Sequence, residues 1–274
     1  VTQPGFAEIA GLLRQRAGIV LTEDKSYLLE TRLGPVLARF GLASLAALGA
    51  KLRALPGEVL ERAVVEALTT HESSFFRDGR PFEHLRAALP GLIAAKGAGA
   101  RLRIWSAACS TGQEAYSVAM LATEMLGPAA AQRVEILATD ISGDVVARAR
   151  EGCFTQFEVQ RGLPIRALMA HFMQEGTQWR IRPELRAMIR FEERNLLVDC
   201  APLGRFDVIF CRNVLIYFDA PTKTRVLEML ARQLQPEGIV YLGAAETVIG
   251  LTERLAPIAG ERGAYGLAAR RAAA

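Results

Sequence analysis

Residues 101–120 read RLRIWSAACSTGQEAYSVAM. An apolar run, Leu102–Trp105, gives way to small residues and then to a helical pattern that starts near Gln113. A short apolar run before a turn of small residues and an amphipathic segment predicts a buried strand, a tight turn and a helix. Ala107, Ala108, Ser110 and Gly112 allow the backbone to approach a ligand closely, and the new helix offers its free N–H groups. The spacing is not G-x-G-x-x-G, so no dinucleotide fingerprint is present. The turn is either a ligand-binding edge or an ordinary strand–helix connection.

Outward from this stretch the alternation repeats. Apolar runs lie at Val134–Ala138, Ile189–Glu192, Phe206–Cys211 and Ile239–Leu242, with helical patterns at 113–126, 143–150 and 222–234. This pattern predicts a parallel sheet covered by helices on both faces. Arg254–Ile258 and Ala264–Leu267, around Gly260 and Gly263, read as a final antiparallel pair. Residues 153–188 are too long for an ordinary connection. Within them HFMQEGTQWRIRPEL reads as two short strands around a Glu175–Gly176 turn, in a small antiparallel insertion.

The first seventy residues read differently, as helices. Phe6, Ile9, Leu12 and Leu13 recur at helical spacing. A second helix is expected from an N-cap at Thr22 to Phe40, with an apolar stripe of Leu29, Leu33, Val36, Leu37 and Phe40. Two more follow, Leu45 to Ala54 and Glu58 to Leu68, separated by a Pro56–Gly57 break.

Composition narrows the classes. About half of the 274 residues are apolar and the formal charge is only +4. A sizeable core is affordable in surface terms, and bulk nucleic-acid binding is not indicated. Cys109, Cys153, Cys200 and Cys211 form no C-x-x-C pair, and the histidines do not group around them. Neither a zinc site nor a disulfide framework is expected, and reduced thiols fit a cytoplasmic protein. No apolar run reaches the roughly 18–20 residues that span a bilayer. VTQPGFAEIAGLLRQRAG lacks the pattern of a secretory leader.

Three further segments carry chemistry. In EILATDIS, Asp140 follows a buried strand, where an acid either accepts bonds from ribose hydroxyls or caps the next helix. Paired with the first turn it favours a nucleoside-containing cofactor. In GRFDVIFCRNVLIYFD, Arg212 and Asn213 interrupt an apolar run. Polar residues there are costly unless a cleft satisfies them, so Asn213 binds a ligand or makes its own turn. LTTHESSFFRD, residues 68–78, joins the helical and alternating regions. Phe75 and Phe76 are core candidates, and Arg77 pairs with a cofactor carboxylate, with Asp78 or with a helix end.

Together, in this order, these segments resemble the CheR family of chemotaxis-receptor protein-glutamate O-methyltransferases. HESSFFRD is similar to the family's N-x-T-x-FFR-[DE] segment, IWSAACSTGQEAYS to its first cofactor motif, and ATDIS, RNLL (Arg194–Leu197) and FDVIFCRNVLIYFD to further segments. The resemblance implies a seven-stranded Rossmann-like class I methyltransferase domain over 91–274, with a small antiparallel β-subdomain inserted at about 153–188. It also implies an N-terminal all-α domain over 1–68 that docks the receptor, and a linker over 69–90 that contributes to the cofactor site. Carried over by position, the S-adenosylmethionine contacts are His71, Ser73, Arg77, Glu114, Asp140, Asn195, Leu196, Asn213 and Val214. His71 stands where the family has Asn, and Ser73 where it has Thr. Ser keeps the hydroxyl, whereas His changes shape and can titrate. A glutamate carboxylate is ionised near neutral pH, so no catalytic base is expected, and neither a metal nor a nucleic-acid partner is expected. The resemblance gives as partner the cytoplasmic helices of a methyl-accepting chemotaxis receptor, without membrane insertion and with the chain acting as a monomer. The loop in FMQEGTQWRIR is shorter than in members that bind a receptor's C-terminal pentapeptide, which implies independence of that tether.

Lys25, Arg32 and Arg39, spaced by sevens, lie along one edge of the second helix beside its apolar stripe. They form either a receptor-docking edge or a solvated rim. Tyr217 follows Asn213 by one turn if the chain coils there. Two other functions stay open. One is a methyltransferase for nucleic acid or a small molecule; Arg212–Leu215 lacks the Asn-Pro-Pro-aromatic tetrad of amino-directed nucleic-acid enzymes. The other is a non-catalytic module that senses S-adenosylmethionine.

Overall fold

The computed structural model describes residues 3–54 and 57–268. Pro56 of the expected Pro56–Gly57 break and residues 269–274 of the expected C-terminal domain lie outside the described residues. The chain divides into two compact units: residues up to Thr70 with Tyr217–Lys223, and His71–Ile216 with the chain from Thr224 onward.

The first unit is helical. Helix α1 (Phe6–Ala17) buries Phe6, Ile9, Leu13 and Ala17, a stripe at helical spacing. It packs on α3 (Leu45–Ala54) and α4 (Glu58–Leu68), as does α2 (Tyr27–Arg39). The expected second helix is shorter than its sequence pattern. Glu23–Lys25 form a separate 3₁₀ turn and the α-helix starts at Tyr27. Leu29, Leu33 and Val36 are buried, while Leu37 and Phe40 are only half-buried. The segment Tyr217–Lys223 joins this unit through a bridge between Ile19 and Phe218 and a bond from Val20 N–H to Tyr217 O at 2.9 Å.

The second unit is a seven-stranded sheet. Helix α5 (Arg80–Ala95) leads in, a helix that the sequence reading does not assign; Pro81 sits in its first turn and Pro90 within it. Strand β1 (Leu102–Ala107) is followed by α6 (Gln113–Leu126), α7 (Ala130–Arg133), β2 (Val134–Asp140) and α8 (Gly143–Glu151). The insertion holds β3 (Cys153–Thr155), α9 (Gln156–Gln160), α10 (Ile165–His171), β4 (Phe172–Glu175), β5 (Gln178–Ile181) and α11 (Pro183–Arg186). Then come β6 (Ile189–Glu193), β7 (Phe206–Cys211), α12 (Ala220–Gln233), β8 (Leu234–Leu242), β9 (Leu255–Pro257) and β10 (Ala264–Leu267).

The main sheet runs β6-β2-β1-β7-β8-β10-β9. The first five strands are parallel, and β10 runs antiparallel to both its neighbours, β8 and β9. All six residues of β7 are buried, as expected of a central strand covered on both faces. Strand β8 starts earlier than the apolar run at Ile239, because Leu234 pairs with Phe206 before the register shifts to Val208–Ile239. Helix α12 starts two residues before the predicted 222, where Asp219 Oδ1 accepts Thr222 N–H at 3.0 Å.

The insertion forms a three-stranded antiparallel sheet, β3-β5-β4, whose β4–β5 hairpin closes through Gly176 and Thr177. Phe154 and Phe172 pack edge-on against Phe75, with centroids 5.0 and 5.6 Å away, a favourable aromatic geometry. That contact ties the FFRD segment to the insertion.

Candidate functional site

The chain turns from β1 into α6 through Ala108 (φ 62°) and Ser110 (φ 51°), both in the left-handed region. Such residues cost about 1–2 kcal/mol each and persist where their surroundings hold them. Three bonds do so here. Cys109 N–H donates to Thr139 O at 2.9 Å, Ser110 N–H to Asp140 Oδ2 at 2.8 Å, and Ser110 Oγ to His71 O at 2.8 Å. The end of β2 and the start of the 71–78 segment therefore shape the turn.

Asp140 is buried at the end of β2. Its other oxygen, Oδ1, accepts Ser142 N–H at 3.1 Å. Burial pushes its carboxyl up from the usual range, against the pull of the Ser142 and Ser110 amides and of His71. Ser142, rather than Asp140, caps α8, by accepting Val145 N–H. The backbone N–H of Ile141 also bonds the Asp140 carboxylate.

Glu114, in the first turn of α6, is also buried. Oε1 accepts the Ser106 hydroxyl at 2.7 Å and Oε2 accepts Arg212 Nη1 at 3.0 Å. Burial raises its carboxyl above the ordinary value despite the guanidinium. Arg212 Nη2 donates to Arg77 O at 2.7 Å and to Asp78 Oδ2 at 2.8 Å, and the guanidinium lies over the Phe82 ring. Arg212 thus joins the end of β7, the start of α6 and the FFRD turn. Phe76 in that turn has φ 49°, and its N–H donates to Ser117 Oγ at 2.9 Å. Phe75 is fully buried, whereas Phe76 is half-buried. The Arg77 side chain is half-buried and donates to Glu72 O at 3.0 Å. His71 and Ser73 are half-buried.

After β7, Asn213 takes φ 59°. Its N–H donates to Glu246 Oε2 at 2.9 Å, and Val214 N–H donates to Glu246 Oε1 at 2.9 Å. After β6, Asn195 Oδ1 accepts Leu197 N–H at 2.9 Å in a local turn, with Leu196 buried beside it.

Asn195, Asp140, the Ala108–Gly112 turn and Asn213 follow the carboxyl ends of β6, β2, β1 and β7, four adjacent strands. The chain winds from β1 toward β6 on one side and toward β8 on the other, so β1 and β7 flank a switch point, where open α/β sheets bind ligands. Acceptors for hydroxyls or an ammonium (Asp140, Glu114), an amide (Asn213) and a guanidinium for a carboxylate (Arg77) fit a nucleoside bearing an amino acid. Arg212 and Glu246 organise this edge. The sequence marks Arg212 as a polar break in a core run, but Glu246, in GAAETVIG, has no such signal. Among the described residues no group of three or more His, Cys, Asp or Glu is arranged to hold a metal ion, and no helix is long and apolar enough to cross a membrane.

In the helical unit, Arg32 and Arg39 share α2, whereas Lys25 belongs to the 3₁₀ turn before it, so the expected single helical edge of three cations does not form. Lys25 and Arg39 are exposed. Arg32 is half-buried, and its Nη1 donates to Leu68 O, Thr69 O and Thr70 Oγ1 at 3.2–3.3 Å, at the carboxyl end of α4. Tyr217 ends a 3₁₀ turn, Leu215–Tyr217, and is grouped with this unit.

A family model described as "CheR methyltransferase, SAM binding domain" matches residues 71–264, and one described as "CheR methyltransferase, all-alpha domain" matches residues 4–69. The chain is 38% identical over 252 residues to a protein of Pseudomonas putida named "Chemotaxis protein methyltransferase Cher2", covering 90% of this chain and 92% of that one. It is 42% identical over 247 residues to "Chemotaxis protein methyltransferase 1" of Pseudomonas aeruginosa, covering 88% and 89%. It is 37% identical over 257 residues to the "Chemotaxis protein methyltransferase" of Vibrio parahaemolyticus, covering 93% of each.

Proposed function

Since the chain belongs to the CheR methyltransferase family, and is an S-adenosylmethionine-dependent methyltransferase, we propose that it esterifies glutamate side-chain carboxylates of a methyl-accepting chemotaxis receptor in the cytoplasm. The observation that carries this reading is the match of both family models, in order, along one chain.

The cofactor supplies a methyl group on a sulfonium. Asp140 would accept from its ribose hydroxyls and Arg77 would pair with its carboxylate. His71, Ser73, Glu114, Asn195, Leu196, Asn213 and Val214 would complete the contacts. The substrate glutamate is already ionised near neutral pH, so the chain need supply no general base. Its residues orient the two reactants and exclude water, and good orientation alone is worth about 7–11 kcal/mol.

Residues 1–68 would dock the receptor, with Lys25, Arg32 and Arg39 facing its acidic helices. Residues 69–90 would contribute to the cofactor site within a methyltransferase domain that runs from 91, with the insertion at about 153–188. The two-residue β4–β5 loop supports action on receptors without a pentapeptide tether, and the chain would act as a monomer. Incubation with methyl-labelled cofactor and receptor-containing membranes tests the reaction. Base-labile label on the receptor is expected, and its absence would leave only a cofactor-sensing module. Micromolar binding of a free receptor C-terminal pentapeptide, measured by calorimetry, would remove the tether-independent part.

A further inference from the structure

Glu246 lies just beyond β8, buried, and every hydrogen bond it accepts comes from backbone. Gly243 N–H reaches Oε2 at 2.6 Å and Asn213 N–H reaches it at 2.9 Å. Val214 and Ile216 N–H reach Oε1 at 2.9 and 3.3 Å. Three of the four donors come from the stretch that leaves β7. Successive N–H groups converging on one anion form a concave nest whose shape depends on that anion. Asn213 needs such support, because its φ of 59° is one that an L-residue adopts at a cost.

Position 243 is matched to this arrangement. A Cβ added there would fall 2.7 Å from Glu246 Oε2 and 2.9 Å from both Asn213 N and Asn213 Nδ2. Cys211 and Leu242 pair across β7 and β8, so the carboxylate joins the ends of two neighbouring strands.

From this geometry we infer that Glu246 is a positioning residue for the methyl donor, holding the Asn213–Val214 backbone in its binding conformation. The inference rests on the reading that Asn213 and Val214 contact the cofactor. Glu246→Gln keeps the size and replaces one acceptor oxygen with an NH₂ that faces backbone donors. Gly243→Ala disturbs the same arrangement by steric means and leaves the carboxylate intact.

For whichever of the two variants folds, the KM for S-adenosylmethionine and the Kd for S-adenosylhomocysteine should rise tenfold or more. The receptor KM should not change, and kcat at saturating cofactor should stay within about threefold of wild type. A merely structural role would instead lower kcat, through a smaller active fraction, with cofactor KM unmoved. That result, or an unchanged S-adenosylhomocysteine Kd in a folded variant, overturns the inference. Failure of the wild-type chain itself to bind S-adenosylhomocysteine would overturn the cofactor reading, and the inference with it.

Discussion

Arg212 Nη1 stands 3.0 Å from Glu114 Oε2, and the two side chains are only 1% and 12% exposed. The pair bridges β7 and α6, and Arg212 also holds Arg77 and Asp78. Removing one partner of a buried pair leaves the other charge uncompensated, which costs about 3–5 kcal/mol.

Arg212→Met should therefore lower the unfolding free energy of the sheet unit, measured by urea titration, by an amount of that order. Glu114→Gln added to it should recover part of the loss. Burial already holds the Glu114 carboxyl above its ordinary value, and loss of Arg212 would raise it further. A raised folded-state value gives stability that is present below 4.5 and lost as pH rises through the folded value. The deficit of Arg212→Met should accordingly be smallest near pH 4 and grow toward neutrality. A deficit independent of pH would show that Glu114 is not the group left unpaired.

The two cations of α2 should separate in their effects. Arg32 bonds the carboxyl end of α4, and a cation there is worth up to about 2 kcal/mol when partly buried. Arg32→Glu should lower the melting temperature. Arg39→Glu, at an exposed position, should leave melting unchanged and raise the receptor KM severalfold, with S-adenosylhomocysteine affinity unaltered. Unchanged receptor kinetics in Arg39→Glu would rule that side chain out of docking.

Gly162 has φ 82°, and a Cβ there would lie 2.0 Å from Phe75 O. Gly162→Ala combines a left-handed penalty with a backbone clash, together about 2–5 kcal/mol. Because the clash falls on the residue before Phe76 and Arg77, weaker S-adenosylhomocysteine binding should accompany the lower melting temperature. Calorimetry on the variant checks both.

Asp219 belongs to the helical unit. The Thr222 hydroxyl and amide and then Arg14 lower its carboxyl from 3.8 to about 2. A depressed value gives stability that is present above 3.8 and lost as pH falls through about 2. Between pH 4 and pH 2 the wild type should lose more stability than Asp219→Asn, and acid titrations of the two followed by circular dichroism should converge at the acid end. Parallel curves would mean that Asp219 titrates normally.

The sheet was legible because its central strands are buried on both faces. Phe206–Cys211 has the same bounds in the sequence pattern and in the structure, since the apolar run Val208–Cys211 ends at the polar Arg212 and only Asp207 interrupts the strand. Where a boundary depends on a local bond, the pattern runs out. Asp219 starts α12 two residues early, and Leu234 pairs with Phe206 across a run of Gln, Pro, Glu and Gly that reads as a turn. Lys25 keeps a helical spacing to Arg32, but the chain changes hydrogen-bond type between them, which spacing does not register. At the candidate site Asp140 stood out because an acid follows a buried strand. Glu246 did not, because three of its four partners lie about thirty residues earlier and all are backbone amides, which carry no mark in a sequence.

The helical unit is discontinuous in the chain. Its first part ends at Thr70, and its last part, Tyr217–Lys223, supplies the bridge from Phe218 to Ile19 and the Asp219 carboxylate 2.6 Å from Arg14. During translation these partners emerge roughly 200 residues apart, a delay of roughly 10–40 s at bacterial elongation rates. A nascent bundle must wait on the ribosome without its closing segment, and an excised fragment ending at residue 70 would never acquire it. Co-expression of that fragment with the remainder, rather than the fragment alone, is the way to obtain the bundle in its native form.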